Sequence, residues 1–380
     1  MEGFQFIFNG TIHFGKNSRS NLSQILESEH WSSACFIIDQ GIINLPIIGE
    51  MLNSLKLKKT IIVECDISEP TYDKLEQKRL SFNDGKIDVF IGIGGGSALD
   101  MAKGLSVLYS NNEPAIAYRG FDKFQKPIKP VIGIPTTAGT GSEITPNASF
   151  IDTKEKKKMG INGELIRPKY AILDPELTIS CPLKPTISAG VDSLVHSSEA
   201  FVAKKSNPMA KMFAREGFKI VFENLPLLVK DLENIELRER VMYGAFLSAI
   251  ALMNSGTGPA AAMSYPLGVH YGVPHGIGGG IFLPYIINHN INKGCFDYAD
   301  LYSIENTLKK EKSAKDFIEN MWELWKKLDI PKSLNTFGLS KSKISGFIND
   351  VMDLKPALDQ NPVPFYEKEI TKVLDKLIIG

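Results

Sequence analysis

Two patterns of apolar residues divide this chain. In the first half, short apolar runs end on polar or turn residues. Ser33–Ile38 closes at Asp39, Thr60–Glu64 at Cys65 and Asp66, Ile87–Ile93 at Gly94, and Val131–Ile134 at Pro135. Runs of this length, rich in Ile, Val and Phe, predict strands, and helical stretches such as Thr71–Phe82 lie between them. Strands alternating with helices imply a parallel sheet wrapped by helices. From about Thr186 the strand pattern stops. Ala189–Ala203, Pro208–Asn224, Ile235–Met253, Ser313–Leu328 and Ser342–Met352 carry apolar residues at helical spacing. The expected fold is an α/β N-terminal domain with a parallel sheet over residues 1–185, then an all-α domain over 186–380. The active site is expected in the cleft between them.

Composition narrows the class. A chain of 380 residues exceeds one compact core, and 43% hydrophobic residues suffice to fill two. The longest apolar stretches, such as Gly276–Ile287, are too short to span a bilayer. Lys and Arg balance Asp and Glu at 43 each, so no global charge calls for nucleic acid or a membrane surface as partner. The lysine patches Lys154–Lys158 and Lys309–Lys315 read as solvated loops. Cys35, Cys65, Cys181 and Cys295 form no C-x-x-C pair. They read as reduced thiols of a cytoplasmic protein, and the N-terminus shows no signal-peptide pattern.

The first candidate chemistry follows the strand ending at Ile93. Gly94-Gly95-Gly96-Ser97 leads into Ala98-Leu99-Asp100 and Lys103. A strand, a glycine turn and a helix start let backbone N–H groups approach an anion, with the helix N-terminus adding partial positive charge. The spacing is not G-x-G-x-x-G. A second polar loop, Thr136-Thr137-Ala138-Gly139-Thr140-Gly141-Ser142-Glu143, follows the next strand, as a nucleotide at the carboxyl edge of a sheet requires. Asp39 closes the first full strand. There a carboxylate can accept both ribose hydroxyls of NAD and repel the 2′-phosphate of NADP; a plain turn residue is the other reading.

The second candidate chemistry is metal binding. Asp192 and His196 are four residues apart and share one helix face, and Pro274-His275-Gly276 brings a further imidazole from a distant element. A carboxylate with two imidazoles suits a divalent metal of borderline softness, Fe²⁺ or Zn²⁺. Alternatively, Asp192 caps a helix and His196 is an ordinary polar residue.

Taken in order, these motifs resemble the iron-containing (group III) alcohol dehydrogenases, relatives of glycerol dehydrogenase and dehydroquinate synthase. Ala171-Ile-Leu-Asp174-Pro175, Glu199, Pro266-Leu-Gly268, Leu283-Pro284 and Asn361-Pro362 extend the resemblance over most of the chain. It implies a metal-dependent, NAD-linked dehydrogenase passing hydride between a nicotinamide and an alcohol or aldehyde. Asp192, His196 and His275 would hold the metal. Gly94, Gly95, Gly96 and Ser97 would hold the pyrophosphate, with Asp100, Thr136, Thr137, Thr140 and Ser142 around the cofactor and Asp39 on its ribose. Lys158 matches a family lysine near the nicotinamide. A homodimer is implied by the same analogy.

One departure stands out. Where the family has a further metal-binding histidine this chain has Ala261, and the histidine one turn later is replaced by Tyr265. If the helix continues, His270 falls roughly opposite Ala261, at about 100° per residue, which favours a contact behind the ligands or to substrate over ligation. The metal is then held by three protein ligands plus water, or weakly held, or lost; the first is favoured. A smaller residue at 261 also widens the pocket. That suits a polyhydroxylated sugar or a sugar acid such as 3-deoxy-octulosonate, which some family members oxidise. A dehydroquinate-synthase-like lyase and a non-enzymatic NAD-binding protein with a decayed metal site are the competing readings.

Overall fold

The computed structural model describes residues 3–66, 68–82, 85–302 and 310–378. The chain divides into two compact units, one of Phe8–Cys181 and the other of Pro182–Gly380 together with Met1–Ile7.

In the first unit the strands are β1 (Thr11–Phe14), β2 (Ser33–Asp39), β3 (Lys59–Cys65), β4 (Val89–Gly94), β5 (Gly120–Phe121), β6 (Val131–Pro135), β7 (Asn147–Asp152), β8 (Lys157–Asn162) and β9 (Tyr170–Leu173). The helices are α1 (Asn21–Ser28), α2 (Pro46–Asn53), α3 (Tyr72–Arg79) and α4 (Gly96–Ser110). Among the described residues, six strands form one sheet in the order β1-β9-β6-β4-β2-β3, all pairs parallel. β2 and β4 are buried along almost their whole length, as strands covered by helices on both faces must be. One apolar cluster under β4 holds Leu75, Phe90 and Leu105; another holds Leu22, Phe36 and Ile91. The expected parallel α/β sheet is therefore present. After β3 the chain returns to the other side of β2, so the strand order reverses between β2 and β4. Ligands of such sheets bind at the carboxyl ends beside that reversal.

A second sheet, β5-β8-β7, was not anticipated. Its antiparallel arm pairs Asp152 with Lys157 and Ile151 with Lys158. The lysine patch over 154–158 is thus only partly a loop: Lys157 and Lys158 belong to β8, because their backbones complete the ladder with β7.

The second unit is helical: α5 (Leu183–Val202), α6 (Pro208–Leu228), α7 (Ile235–Met253), α8 (Pro259–Tyr271), α9 (His275–Asn292), α10 (Tyr298–Leu301), α11 (Lys310–Lys327), α12 (Ile344–Met352), α13 (Lys355–Leu358) and α14 (Glu367–Leu377). Lys310–Lys315 therefore lie on a helix rather than a loop, because Ser313, Ala314 and Phe317 supply that helix with a buried face; Lys309 lies outside the described residues. α5 starts at Leu183, earlier than its apolar spacing indicates, since Pro185 is tolerated in a first turn. Its residues from Ala189 to Val202 are buried, and it lies against α6, α7 and α9.

α9 carries Pro284, which lacks an N–H and so leaves the Gly280 carbonyl without its helical donor. Trp325 of α11 donates its indole N–H to that carbonyl at 2.6 Å. Asn290 and Asn361 exchange two amide hydrogen bonds at 2.9 and 2.8 Å, tying the Asn361-Pro362 stretch to α9. At the other end of the chain, Ile7 and Asn254 form a closed pair: Ile7 N–H to Oδ1 at 2.6 Å and Nδ2–H to the Ile7 carbonyl at 3.0 Å. No helix among the described residues is long and apolar enough to cross a membrane.

Candidate active site

Asp192 and His196 sit one turn apart on buried α5, as their spacing predicts. His275 is the first residue of α9. His196 Nε2 lies 3.5 Å from Asp192 Oδ1, and His275 Nε2 lies 3.7 Å from the same oxygen. One ligand atom from each of the three residues falls within 4.8 Å of the others. The close approach of α9 to α5 depends on Gly276. A Cβ there would sit inside the contact radius of the Ser188 carbonyl oxygen and 2.9 Å from Cβ of Asp192. Pro274-His275-Gly276 is thus a helix start, a candidate ligand and the gap that admits it. On its other ring nitrogen, His275 Nδ1 meets Ser264 Oγ of α8 at 2.6 Å. The rings of Tyr265 and His275 are 5.1 Å apart.

Glu199, one turn beyond His196, is buried and faces the start of α8. Its carboxylate accepts from Ala260 N–H at 2.6 Å, Gly258 N–H at 2.8 Å and the Thr257 hydroxyl at 3.0 Å. Burial pushes its carboxyl up to about 7, with those donors opposing the shift. It serves as a cap for α8, holding the helix that carries Ala261, Ser264 and Tyr265. His270 is not in the three-residue group: its Nε2 lies 2.8 Å from Asp350 Oδ2 of α12.

The α/β unit assembles its own candidate site at the strand reversal. Gly94 has φ +150°, and a Cβ there would stand 2.7 Å from Cβ of Asp39. A Cβ on Gly95 would reach Thr137, and one on Gly96 would meet Thr140 Cγ2 at 2.9 Å. The Thr136 N–H donates to the Gly94 carbonyl at 2.9 Å. Asp39, Gly94–Ser97 and Thr136, Thr137 and Thr140 therefore form one rim, with the first turn of α4 opening onto it. Asp39 Oδ1 also accepts from the Gly41 N–H at 2.7 Å, so the ribose and turn readings of this residue are compatible.

Asp100 and Ser142 lie one layer below. Ser142 donates its hydroxyl to Asp100 Oδ1 at 2.5 Å, and Asp100 Oδ2 accepts from Ser149 N–H at 2.8 Å. Fully buried Lys103 donates to Ser142 Oγ at 2.8 Å and to the Asn147 carbonyl at 2.7 Å. Burial lowers its ammonium to about 8, against the pull of Asp100 and Glu143; burial likewise raises the Glu143 carboxyl to about 7. This network locks α4 to the loop after β6 and to β7. Lys158 lies on β8, its Nζ 2.9 Å from Glu69 Oε2.

Sequence comparisons agree with both halves. The family model described as iron-containing alcohol dehydrogenase matches residues 9–175, and that for the C-terminal part of the Fe-containing alcohol dehydrogenase family matches residues 186–378. The chain belongs to the iron-containing alcohol dehydrogenase family.

It is 28% identical over 354 residues to long-chain-alcohol dehydrogenase 1 of Geobacillus thermodenitrificans, covering 90% of this chain and 89% of the relative. It is 38% identical over 210 residues to the NAD-dependent methanol dehydrogenase of Bacillus methanolicus, 55% of each chain. The crystal structure of a 1,3-propanediol oxidoreductase superposes with a TM-score of 0.91 at 25% identity, over 98% of this chain and 99% of that one. As a family member, the chain is an oxidoreductase acting on CH–OH groups.

Two residues of the helical site escaped sequence reasoning in their roles. Ser264 gave no signal, because its place beside His275 arises only when α8 packs on α9. Glu199 belongs to the motif, but its capping of a helix some 60 residues on was visible only as a buried acid near a glycine-rich start.

Proposed function

We propose that this enzyme is a metal-dependent, NAD-linked alcohol dehydrogenase in which Asp192, His196 and His275 are the ligands of one divalent cation. The reading rests on a single observation, the convergence of one carboxylate oxygen and two imidazole nitrogens within 4.8 Å of one another. That donor set fits Fe²⁺ or Zn²⁺ and leaves coordination positions open for water or substrate, as catalytic sites require. A cation held there supplies a Lewis acid for an alcohol or carbonyl oxygen. Buried Asp192 contributes the charge that holds it, while the two neutral imidazoles offer lone pairs.

For the cofactor, Asp39 accepts the adenosine ribose hydroxyls and disfavours a 2′-phosphate, which supports NAD over NADP. The Bacillus methanolicus relative is itself named NAD-dependent. Gly94–Ser97 and the first turn of α4 direct N–H groups to the pyrophosphate, with Thr136, Thr137 and Thr140 along the rim. Asp100 and Ser142 keep that rim in shape from below. The nicotinamide supplies the hydride acceptor.

Ala261 and Tyr265 in place of two histidines favour a substrate larger than a simple alcohol, such as a polyhydroxylated sugar or sugar acid. Tyr265, beside His275, and His270, held by Asp350, are the side chains assigned to its hydroxyls. Metal content of protein purified without chelator, measured alongside NAD reduction over a panel of alcohols and sugar acids, tests the whole reading. Near-stoichiometric Fe or Zn, lost together with NADH accumulation in His275→Ala, is the expected result. Full turnover without metal overturns the ligand assignment. Clear preference for ethanol-sized substrates overturns the substrate assignment alone.

A further inference from the structure

The three candidate ligands are not held equally. The side chains of Asp192 and His196 are 6% and 7% exposed and lie within the packed length of α5. His275 is 24% exposed and stands at the very start of a helix. An imidazole binds a cation only through an unprotonated nitrogen, and its tautomer is set by the partner of the other nitrogen.

Ser264 is that partner. It is fully buried on α8, and its hydroxyl donates to the carbonyl of Ala261, three residues back, at 2.6 Å. The same oxygen lies 2.6 Å from His275 Nδ1. A hydroxyl carries one proton, and here the carbonyl, which can only accept, receives it. The remaining contact must then run the other way, from an Nδ1–H to the serine oxygen. Gly278, one turn into α9, makes this approach possible, since a Cβ there would be 3.0 Å from Cβ of Ser264. Ala261, whose side chain offers no ligand, thus takes part through its backbone oxygen.

We infer that Ser264 is a positioning residue of the metal centre, fixing His275 as the Nδ1–H tautomer with its Nε2 lone pair toward Asp192 and His196. The inference rests on the proposed metal role of these three residues and adds the device that orients the most exposed of them.

The test compares Co²⁺ and Zn²⁺ affinity of the full-length wild type, Ser264→Ala and His275→Ala by competition with a chromophoric chelator. Loss of an outer-shell partner of a metal-bound histidine typically costs about 10–100-fold in affinity, and Ser264→Ala is expected to fall in that range. If Ser264→Ala binds like wild type while His275→Ala is weakened, the serine inference is overturned and the metal reading stands. If wild type and His275→Ala bind alike, the metal reading itself fails. A second readout needs neither metal nor the serine variant. In ¹⁵N-histidine-labelled, metal-free wild type, the resonance pair missing from His275→Ala should show a protonated Nδ1 and an unprotonated Nε2. The opposite pattern overturns the inference, even should Ser264→Ala not fold.

Discussion

Replacing Gly276 by alanine places a methyl group against the carbonyl oxygen of Ser188 and 2.9 Å from Cβ of Asp192. The first obstacle is helix backbone, which cannot swing aside as a side chain could. α9 must retreat by about 1 Å before the contact becomes tolerable, and overpacking of this kind costs roughly 1–3 kcal/mol, the upper end applying where backbone is struck. A unit of this size loses roughly 2–4 °C per kcal/mol, so a fall of about 6–12 °C in Tm is expected. The retreat carries His275 with it, and a misplacement of about 1 Å at a reacting centre costs on the order of 100-fold in rate. Calorimetry and kcat/KM for NAD reduction read the two effects together. Gly346→Ala is the control, since its Cβ would have nothing within 4 Å and it lies inside α12; it is expected to gain about 0.5–1 kcal/mol. If Gly276→Ala matches the wild type in both Tm and kcat/KM, the argument that this glycine sets the α5–α9 approach is wrong.

Stability should pass through a minimum between about pH 7 and 8. Burial raises Glu143 and Glu199 from 4.5 to about 7; across that window the native state holds more protons than the unfolded chain, so stability falls as pH rises. Burial lowers Lys103 from 10.5 to about 8; between those values the unfolded chain holds more protons, and stability recovers with rising pH. Urea midpoints measured from pH 5 to 10 check this, and a maximum near neutrality contradicts it. Asp39→Ser should raise KM for NAD roughly tenfold, about 1.4 kcal/mol, and narrow the preference over NADP; unchanged cofactor kinetics would remove Asp39 from the ribose. Trp325→Phe leaves the Gly280 carbonyl without a donor and should cost about 1–3 kcal/mol, readable in urea unfolding; a neutral outcome would show that Pro284 needs no outside partner.

The buried central strands were legible because both faces of β2 and β4 meet helices, which writes an unbroken apolar run into the sequence. β1 and β9 were not, since each is four residues long and β1 is an edge strand with both ends exposed. β8 hid among lysines: Lys157 and Lys158 join the sheet through backbone hydrogen bonds, which side-chain chemistry does not report. Asp192 and His196 could be paired from spacing alone, because one long helix relates them rigidly. His275 needed the Pro-His-Gly context, and its partner Ser264 needed the packing of two helices, a relation that leaves no periodic trace. The rim residues divided similarly. Gly94–Ser97 announced themselves, whereas the commitment of Asp100 and Ser142 to each other emerged only with the fold.

The pairing of Ile7 with Asn254 spans 247 residues, and it bears on the order in which the protein can assemble during synthesis. The stretch before Phe8 is synthesised ahead of the α/β unit, yet its partner Asn254, just after α7, emerges only after that entire unit. That unit is therefore free to complete its own parallel sheet while the leading segment waits. Once Asn254 appears, the clasp forms, with Phe6 stacking on Phe213 at 5.7 Å. A helical half expressed alone from Pro182 would lack this clasp, and supplying the first residues as a separate peptide should restore part of its stability.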